Sequence, residues 1–134
     1  MKRLIYLISP NQIYLNFYIE LSKVLSSNKV SFFQLRLKKK SKNQIIKIAK
    51  KIKIITKKYN VKFIINDSLE VAKQINADGC HMGQLDGSVK LARKKLATKV
   101  IGVTCHGSKK LALIASENNA DYLAFGSFFK SKLK

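Results

Sequence analysis

The sequence predicts one α/β domain in which about six parallel strands alternate with helices. Three observations lead to this prediction. A chain of 134 residues fits a single domain. With 46% hydrophobic residues, one Pro and six Gly, it has enough apolar material for a core, unlike disordered or collagen-like chains. Short β-branched and aromatic runs alternate with longer amphipathic stretches along residues 1–134, and no linker or low-complexity tract divides them.

The predicted elements follow one another in strict alternation. Six runs rich in β-branched and aromatic residues predict strands. In order they are Leu4–Ile8, Val30–Leu35, Lys62–Ile65, Gly79–Met82, Lys99–Val103 and Tyr122–Phe125. Between them lie five stretches that open or close with residues typical of helix caps. The predicted helices are Asn11–Ser26, Lys42–Tyr59, Leu69–Ile75, Ser88–Leu96 and Ser108–Asn118.

The alternation restricts the architecture. Strands joined by helical crossovers are parallel, and the crossovers are right-handed. Two architectures satisfy this rule, an open doubly wound sheet and a (β/α) barrel. A complete eight-stranded barrel takes about 250 residues. The chain therefore predicts either an open sheet of six strands or the first three quarters of a barrel, and periodicity alone leaves both possible.

The net charge of +20 raises the question of a nucleic-acid partner. All but three of the 27 basic residues are Lys, whereas base recognition and bidentate phosphate binding favour Arg. The densest run, residues 38–58, interleaves its lysines with isoleucines at helical spacing, as a helix with one solvated face would. We therefore expect non-specific attraction to polyanions and no specific nucleic-acid partner.

Targeting signals and cysteine usage indicate a cytoplasmic protein. The longest uncharged apolar stretch near the start, Leu4–Ile8, is far shorter than a membrane span or the core of a signal peptide. We therefore expect no membrane partner. Cys80 and Cys105 lack a CxxC spacing and are expected to be free thiols.

The segment after the second strand combines one amide with two cations. Because side chains alternate along an extended chain, Gln34, Arg36 and Lys38 are predicted to project on one face. Lys38 could instead merely begin the lysine-rich helix. Arg36 lies between Leu35 and Leu37, and a guanidinium in such surroundings needs an anionic partner.

Two of the seven carboxylates end neighbouring strands. Asp67 follows Asn66 at the end of the third strand, and Asp86 comes shortly after the fourth. Adjacent parallel strands lie about 4.8 Å apart, so both carboxylates could bind one Mg²⁺ ion together with substrate phosphate. Each could alternatively cap the helix that follows it. Asp121 precedes a strand and is predicted to be structural.

Cysteine and histidine occur side by side twice, as Cys80-His81 and Cys105-His106. Neighbours on a strand point to opposite faces, which argues against a zinc site made by all four. Either histidine could act as a base beside phosphate chemistry, and Cys80 is expected to pack in the core. The roles of these four residues stay open at this level.

Polar groups at five consecutive strand ends, with apolar strands behind them, predict a ligand site. The fifth strand is followed by Gly102-Val103-Thr104 and the sixth by the segment 126–134, which supplies hydroxyls and a terminal lysine cluster. Such groups suit an anion or a polar heterocycle.

These strand-end segments resemble the thiamine-phosphate synthase family. Its QLRxK-like, IND, HxGQxD and GVSxH-like segments correspond to Gln34–Lys38, Ile65–Asp67, His81–Asp86 and Gly102–His106, and its GxxxPTxTK-like segment to residues 126–134. The resemblance runs from about Leu4 to the last residue. It implies a (β/α) barrel of the TIM type with about six strands, strands seven and eight being absent.

The resemblance also implies an activity, the joining of hydroxymethylpyrimidine diphosphate to thiazole phosphate with release of diphosphate. Arg36 and Lys38 would be catalytic, and Asp67 and Asp86 would hold Mg²⁺. Thr104 stands where the family usually has Ser near the pyrimidine. The implied substrate-binding residues are Gln34, Leu35, Arg36, Leu37, Lys38, Asn66, Thr104, Ser131 and Lys134.

Departures from the family pattern concern the last segment. Ser131 and Leu133 align with its paired threonines, and Lys130 replaces its proline. The predicted strands stop at six, and in the family the loops of strands seven and eight bind thiazole phosphate. We therefore expect a fragment, a truncated product, or a chain that self-associates or has its barrel completed by a partner chain. We expect no thiamine phosphate from the chain alone. The alternatives are a thiazole tautomerase, which generally lacks the two magnesium carboxylates, and a non-catalytic barrel fragment that binds phosphate or polyanions.

Overall fold

The computed structural model describes residues 5–129, in which six parallel strands form one sheet in the order β1-β2-β3-β4-β5-β6. The strands are β1 Ile5–Ile8, β2 Val30–Leu35, β3 Lys62–Asn66, β4 Gly79–Met82, β5 Val100–His106 and β6 Tyr122–Phe125. The helices are α1 Phe17–Leu25, α2 Lys42–Lys58, α3 Leu69–Gln74, α4 Val89–Leu96 and α5 Lys109–Glu117.

The strand order selects the barrel over the open sheet. A doubly wound sheet reverses its strand order at a switch point, whereas here each strand pairs with the next one in sequence. The sheet is also curled, because Tyr6 of β1 and Tyr122 of β6 are in hydrogen-bond contact across its inner face. The predicted fold class, an incomplete (β/α) barrel with six parallel strands, is confirmed.

The helices pack on the outer face of the sheet and enclose the core. Phe33 and Phe63 stack on neighbouring strands with ring centroids 6.2 Å apart, and both are buried. Helix α2 buries the apolar stripe that contains Ala49 and Ile52, while its lysines other than Lys53 are exposed. Ser41 begins this helix with a capping box that it shares with Gln44.

Two boundaries differ from the sequence prediction by more than one residue. Helix α1 begins at Phe17 and not at Asn11. The intervening chain makes contacts at the strand ends instead, because Ser9 Oγ accepts a hydrogen bond from the Arg36 backbone N–H (2.9 Å) and Asn11 Oδ1 accepts one from Arg36 Nη1 (3.5 Å). Strand β5 continues to His106, three residues beyond its predicted end, because its pairing with β6 extends that far.

Two aspartates tie the strands together at the end opposite the site. Asp78 accepts a hydrogen bond from the Phe63 backbone N–H (2.8 Å). Asp121 accepts one from the Ile101 backbone N–H (2.7 Å) and one from Arg93 Nη2 (2.8 Å). The prediction that Asp121 is structural is thereby confirmed. Among residues 5–129, no helix is long and apolar enough to cross a membrane.

Candidate active site at the carboxyl ends of the strands

The carboxyl ends of the strands surround a cavity of about 650 Å³. Most of its walls come from residues that point to the concave side of the sheet or lie in the loops just beyond it. The lining residues are Tyr6, Ile8, Gln34, Arg36, Lys38, Asn66, Asp67, His81, Gly83, Thr104, His106, Tyr122, Ala124, Phe125 and Gly126. Six of the predicted site residues are among them.

The segment after β2 divides between two environments. Gln34, Arg36 and Lys38 line the cavity, as the alternation predicts. Leu35 and Leu37 are 1% and 4% exposed and belong to the hydrophobic core on the other face. Their side chains are absent from the cavity wall, so a contact with substrate would have to come from their backbone, and their role in substrate binding stays a prediction. Helix α2 begins after Ser41, so the alternative in which Lys38 starts that helix is also wrong.

Asp67 and Asp86 lie close enough to influence each other. Burial raises the pKa of Asp67 to about 6, and the Asp86 carboxylate contributes to that rise, while Lys38 and Arg36 oppose it. Two like charges disfavour ionisation of each other, and nearby cations favour it. The four side chains therefore share one electrostatic environment.

Neither carboxylate caps a helix. Ser68 caps α3 by accepting from the Val71 backbone N–H, and Ser88 caps α4 in the same way. The Asp86 carboxylate instead accepts a hydrogen bond from the Gly83 backbone N–H (2.7 Å). The capping alternatives considered for both residues are thus wrong, and their carboxylates are left at the strand ends.

The backbone holds Asp67 in the left-handed region, with φ of 66°. Its N–H donates to the His81 carbonyl of the adjacent strand (2.7 Å). Non-glycine residues with positive φ are uncommon, and aspartate adopts this conformation more readily than most. With this turn, Asp67 lines the cavity and lies outside the helix that Ser68 caps.

Asp67 and Asp86 offer carboxylate oxygens, which are ligands that a hard cation prefers. Within residues 5–129, no group of three or more His, Cys, Asp and Glu side chains is arranged to hold a metal ion. Mg²⁺ is commonly held by one or two carboxylates, with water and substrate phosphate completing its shell. The mutual repulsion that helps to raise the pKa of Asp67 is what a divalent cation between the two carboxylates would relieve.

Four polar contacts cross the floor of the cavity. Gln34 Nε2 donates to Tyr6 Oη (2.9 Å), and Tyr6 Oη lies 2.6 Å from Tyr122 Oη. Tyr122 Oη lies 2.8 Å from His81 Nδ1, and His81 Nε2 lies 2.7 Å from Thr104 Oγ1. These five side chains, which we call the floor chain, connect β2, β1, β6, β4 and β5.

The floor chain lies in surroundings that keep its members uncharged. Burial lowers the pKa of His81. Burial also raises the pKa of Tyr6 and of Tyr122. Loss of hydration on burial disfavours the charged form of all three side chains. The floor chain therefore provides neutral hydrogen-bonding groups beneath a charged rim.

The sequence predicts only part of the floor chain. Gln34 and Thr104 were predicted as site residues and His81 as a possible base, but Tyr6 and Tyr122 were assigned only to strands. Aromatic residues within a strand are usually core residues, so their pattern contains no signal for a site. The indirect signal is Gly102, whose lack of a side chain leaves room for the Tyr122 ring.

The two Cys-His pairs behave as the alternation predicts. Cys80 and Cys105 are buried free thiols, whereas His81 and His106 line the cavity. Burial raises the pKa of Cys80 to about 12, which makes it an unreactive thiol. Ser131 and Lys134, the other predicted substrate-binding residues, lie outside the described residues.

Comparison with known proteins identifies relatives of this chain. The family model described as "Thiamine monophosphate synthase" matches residues 5–134. A thiamine-phosphate synthase of Pelagibacter ubique is 56% identical over 134 residues, which cover 99% of this chain and 65% of that protein. One of Erythrobacter litoralis is 42% identical over 133 residues, covering 97% of this chain and 62% of that protein.

A solved structure has the same fold. The thiamine phosphate pyrophosphorylase from Pyrococcus furiosus superimposes with a TM-score of 0.82 at 26% sequence identity, over 96% of this chain and 61% of that one. This chain therefore spans less than two thirds of the length of each of these three proteins.

Proposed function

This chain belongs to the thiamine monophosphate synthase family, and on that premise we propose that it binds hydroxymethylpyrimidine diphosphate for transfer of the pyrimidine-methyl group to thiazole phosphate. Diphosphate is the product released. The observation that carries the proposal is the convergence of Arg36, Lys38 and Asp67 at one cavity, with the Asp86 carboxylate beside Asp67. Two cations beside two carboxylates suit a metal-bound diphosphate.

The residues of the chain would favour loss of diphosphate mainly through charge. The guanidinium of Arg36 can bind phosphate oxygens through two parallel N–H groups, and Lys38 adds a second positive charge. As the carbon–oxygen bond breaks, negative charge grows on the departing diphosphate, and preorganised cations stabilise it. Gln34 and Asn66 line the same cavity and offer uncharged donors.

We propose that Asp67 and Asp86 hold Mg²⁺ in this reaction. The ion would supply neutralisation of the diphosphate and a fixed orientation for its oxygens. The donor set supports this assignment, because Asp86 contributes to the rise in the pKa of Asp67 to about 6 and the two carboxylates are therefore close. A bound cation would reverse that effect and favour both ionised forms.

The experiment is isothermal titration calorimetry with hydroxymethylpyrimidine diphosphate, with and without Mg²⁺. We expect binding that requires Mg²⁺ and that is lost in Asp67→Asn and in Asp86→Asn. Glu117→Gln is the matched control, since it removes one exposed carboxylate at the end of α5. Binding unaffected by Mg²⁺ and by both aspartate variants would contradict the proposal and favour a non-catalytic barrel fragment.

We also propose that a second copy or a partner chain covers the edges of the sheet. Among residues 5–129, β1 pairs only with β2 and β6 only with β5. Ile8 and Phe125, at the tips of these edge strands, are 51% and 50% exposed. Unpaired edges with apolar side chains favour association. A concentration-independent monomer in sedimentation velocity would contradict self-association, and a pull-down without a stoichiometric partner would contradict the partner chain.

A cytoplasmic location is also part of the proposal. It is supported by the two cysteines, which are both buried and unpaired. Free thiols persist in reducing compartments. Fractionation that finds the protein in an oxidising compartment would contradict this expectation.

A further inference from the structure

The floor chain crosses the cavity without a break. Its four contacts span 2.6–2.9 Å and connect side chains from five strands. Every contact is within the range of a well-formed hydrogen bond. The order in which the protons are donated along it decides what the last hydroxyl, on Thr104, can offer to a ligand.

The first contact sets the direction. Gln34 Nε2 donates to Tyr6 Oη, so the Tyr6 hydroxyl uses an oxygen lone pair there and has its own proton to donate. Tyr122 Oη, 2.6 Å away, can accept that proton. In this order, Tyr122 donates its own proton to His81 Nδ1. A neutral imidazole that accepts at Nδ1 carries its proton on Nε2, which donates to Thr104 Oγ1.

We propose that Tyr6, Tyr122 and His81 form an ordered hydrogen-bond chain that fixes the Thr104 hydroxyl as a donor toward the cavity, where it selects an acceptor nitrogen of an aromatic heterocycle. The inference rests on the proposed function, in which the heterocycle is the pyrimidine. Tyr6, Tyr122 and His81 are positioning residues, because they act through Thr104. An exocyclic amino group, which is a donor, would not satisfy this hydroxyl.

Packing holds the side chains of the floor chain in place. His81 of β4 pairs with Gly102 of β5, which pairs with Tyr122 of β6. The Tyr122 ring crosses over Gly102 and stacks against the His81 ring, with centroids 5.6 Å apart and planes 24° apart. On the other side, the Tyr6 ring stacks on Phe32 at 5.5 Å. These contacts position the rings independently of their hydroxyls, so removing one hydroxyl should leave the rings in place.

The floor chain and the charged rim should therefore be separable. Arg36, Lys38, Asp67 and Asp86 recognise the diphosphate in the proposed function, and none of them is a hydrogen-bond member of the floor chain. Loss of order in the floor chain should weaken binding of the heterocycle and leave inorganic diphosphate unaffected.

The first test compares two ligands in calorimetry with Mg²⁺ present. In Tyr122→Phe we expect hydroxymethylpyrimidine diphosphate to bind about threefold to tenfold more weakly, the effect of one lost neutral hydrogen bond, with inorganic diphosphate unchanged. Tyr6→Phe should give the same pattern. Tyr59→Phe, which removes a hydroxyl at the end of α2, is the matched control and should change neither ligand.

Equal loss for both ligands, or no loss for either, would overturn the inference. Failure of the unsubstituted chain to bind inorganic diphosphate with Mg²⁺ is a different result, because it would overturn the proposed function. Circular dichroism of each variant identifies any that fails to fold, and Tyr6→Phe and Tyr122→Phe serve as replacements for each other.

The second test determines, without a ligand, which ring nitrogen of His81 carries the proton. The chain contains two histidines, so ¹⁵N NMR of the imidazoles requires one further variant, His106→Gln, to assign the signals. We expect His81 to be neutral with its proton on Nε2, and we expect Tyr122→Phe, but not Tyr59→Phe, to populate the other tautomer. A proton on Nδ1 in the unsubstituted chain would overturn the inference, because Thr104 would then donate to His81 and offer only an acceptor.

Discussion

The hydroxyl oxygens of Tyr6 and Tyr122 lie 2.6 Å apart, although 116 positions separate the two residues in sequence. Tyr6 belongs to the first strand and Tyr122 to the sixth, so their contact is possible only because the sheet curls through most of a barrel. The contact closes the floor of the cavity beneath the charged residues at the strand ends. It thereby separates a neutral hydrogen-bonding floor from a charged rim.

Gly102→Ala should disrupt this floor. A Cβ at this position would overlap Cζ of the Tyr122 ring, so the ring must move away from His81. We expect a loss of about 1–3 kcal/mol in the free energy of unfolding, the usual cost of overpacking. Chemical denaturation measures it. Gly107→Ala is the control, since nothing lies within 4 Å of the place that its new methyl group would occupy, and equal stability of the two variants would refute the prediction.

The contribution of Asp67 to the stability of the metal-free chain should fall as the pH rises through the range in which this carboxyl titrates. Its pKa is ordinarily 3.8 and rises to about 6 when the chain is folded, so between these values the folded chain binds more protons than the unfolded one. The free energy of unfolding then decreases with rising pH. In Asp67→Asn this contribution is absent, so the variant should gain stability relative to the unsubstituted chain from about pH 4 to above pH 6.

The measurement is urea denaturation at a series of pH values with a chelator present. At neutral pH, saturating Mg²⁺ should make the unsubstituted chain more stable than Asp67→Asn, because the cation stabilises the ionised carboxylates. Glu117→Gln is the control for loss of one carboxylate. A difference between Asp67→Asn and the unsubstituted chain that stays constant across this pH range would be inconsistent with the raised pKa.

Lys38→Met should weaken diphosphate binding, whereas Lys39→Met should not. The two lysines are neighbours and both are exposed, but only Lys38 lines the cavity. Each substitution removes one positive charge, so a purely non-specific attraction to diphosphate would be weakened equally in the two variants. We expect about a tenfold loss of affinity for Lys38→Met, in line with the loss of a hydrogen bond between charged groups. Calorimetry with inorganic diphosphate and Mg²⁺ would show an equal effect if the prediction is wrong.

Asp121→Ala should destabilise the fold without changing the ligand site. The substitution leaves the Ile101 backbone N–H without its acceptor and removes one of the two acceptors of Arg93 Nη2. An unsatisfied buried donor costs about 1–3 kcal/mol. Denaturation should report this loss, while diphosphate affinity, measured at a temperature where the variant is folded, should be unchanged. A selective loss of affinity at full stability would assign Asp121 to the site after all.

Local patterns predicted the strand-end residues well. The alternation along β2 placed Gln34, Arg36 and Lys38 on one face, because the two faces of a strand are set by the parity of sequence position. The same rule also places the side chains of Leu35 and Leu37 in the core. Helix α1 was predicted six residues too early, because contacts of Ser9 and Asn11 with Arg36 outweigh local helical pattern.

The sequence by itself determined the alternation of strands and helices, the residues at each strand end, and the resemblance carried by their segments. These features depend on neighbours a few positions apart, which periodicity and spacing record. Only the tertiary structure decided that the sheet curls, that Ser68 and Ser88 cap the helices in place of Asp67 and Asp86, and that Tyr6 and Tyr122 complete the floor of the cavity. The reason is physical: the floor chain connects five strands, and a contact between distant strands exists only once the chain between them has folded.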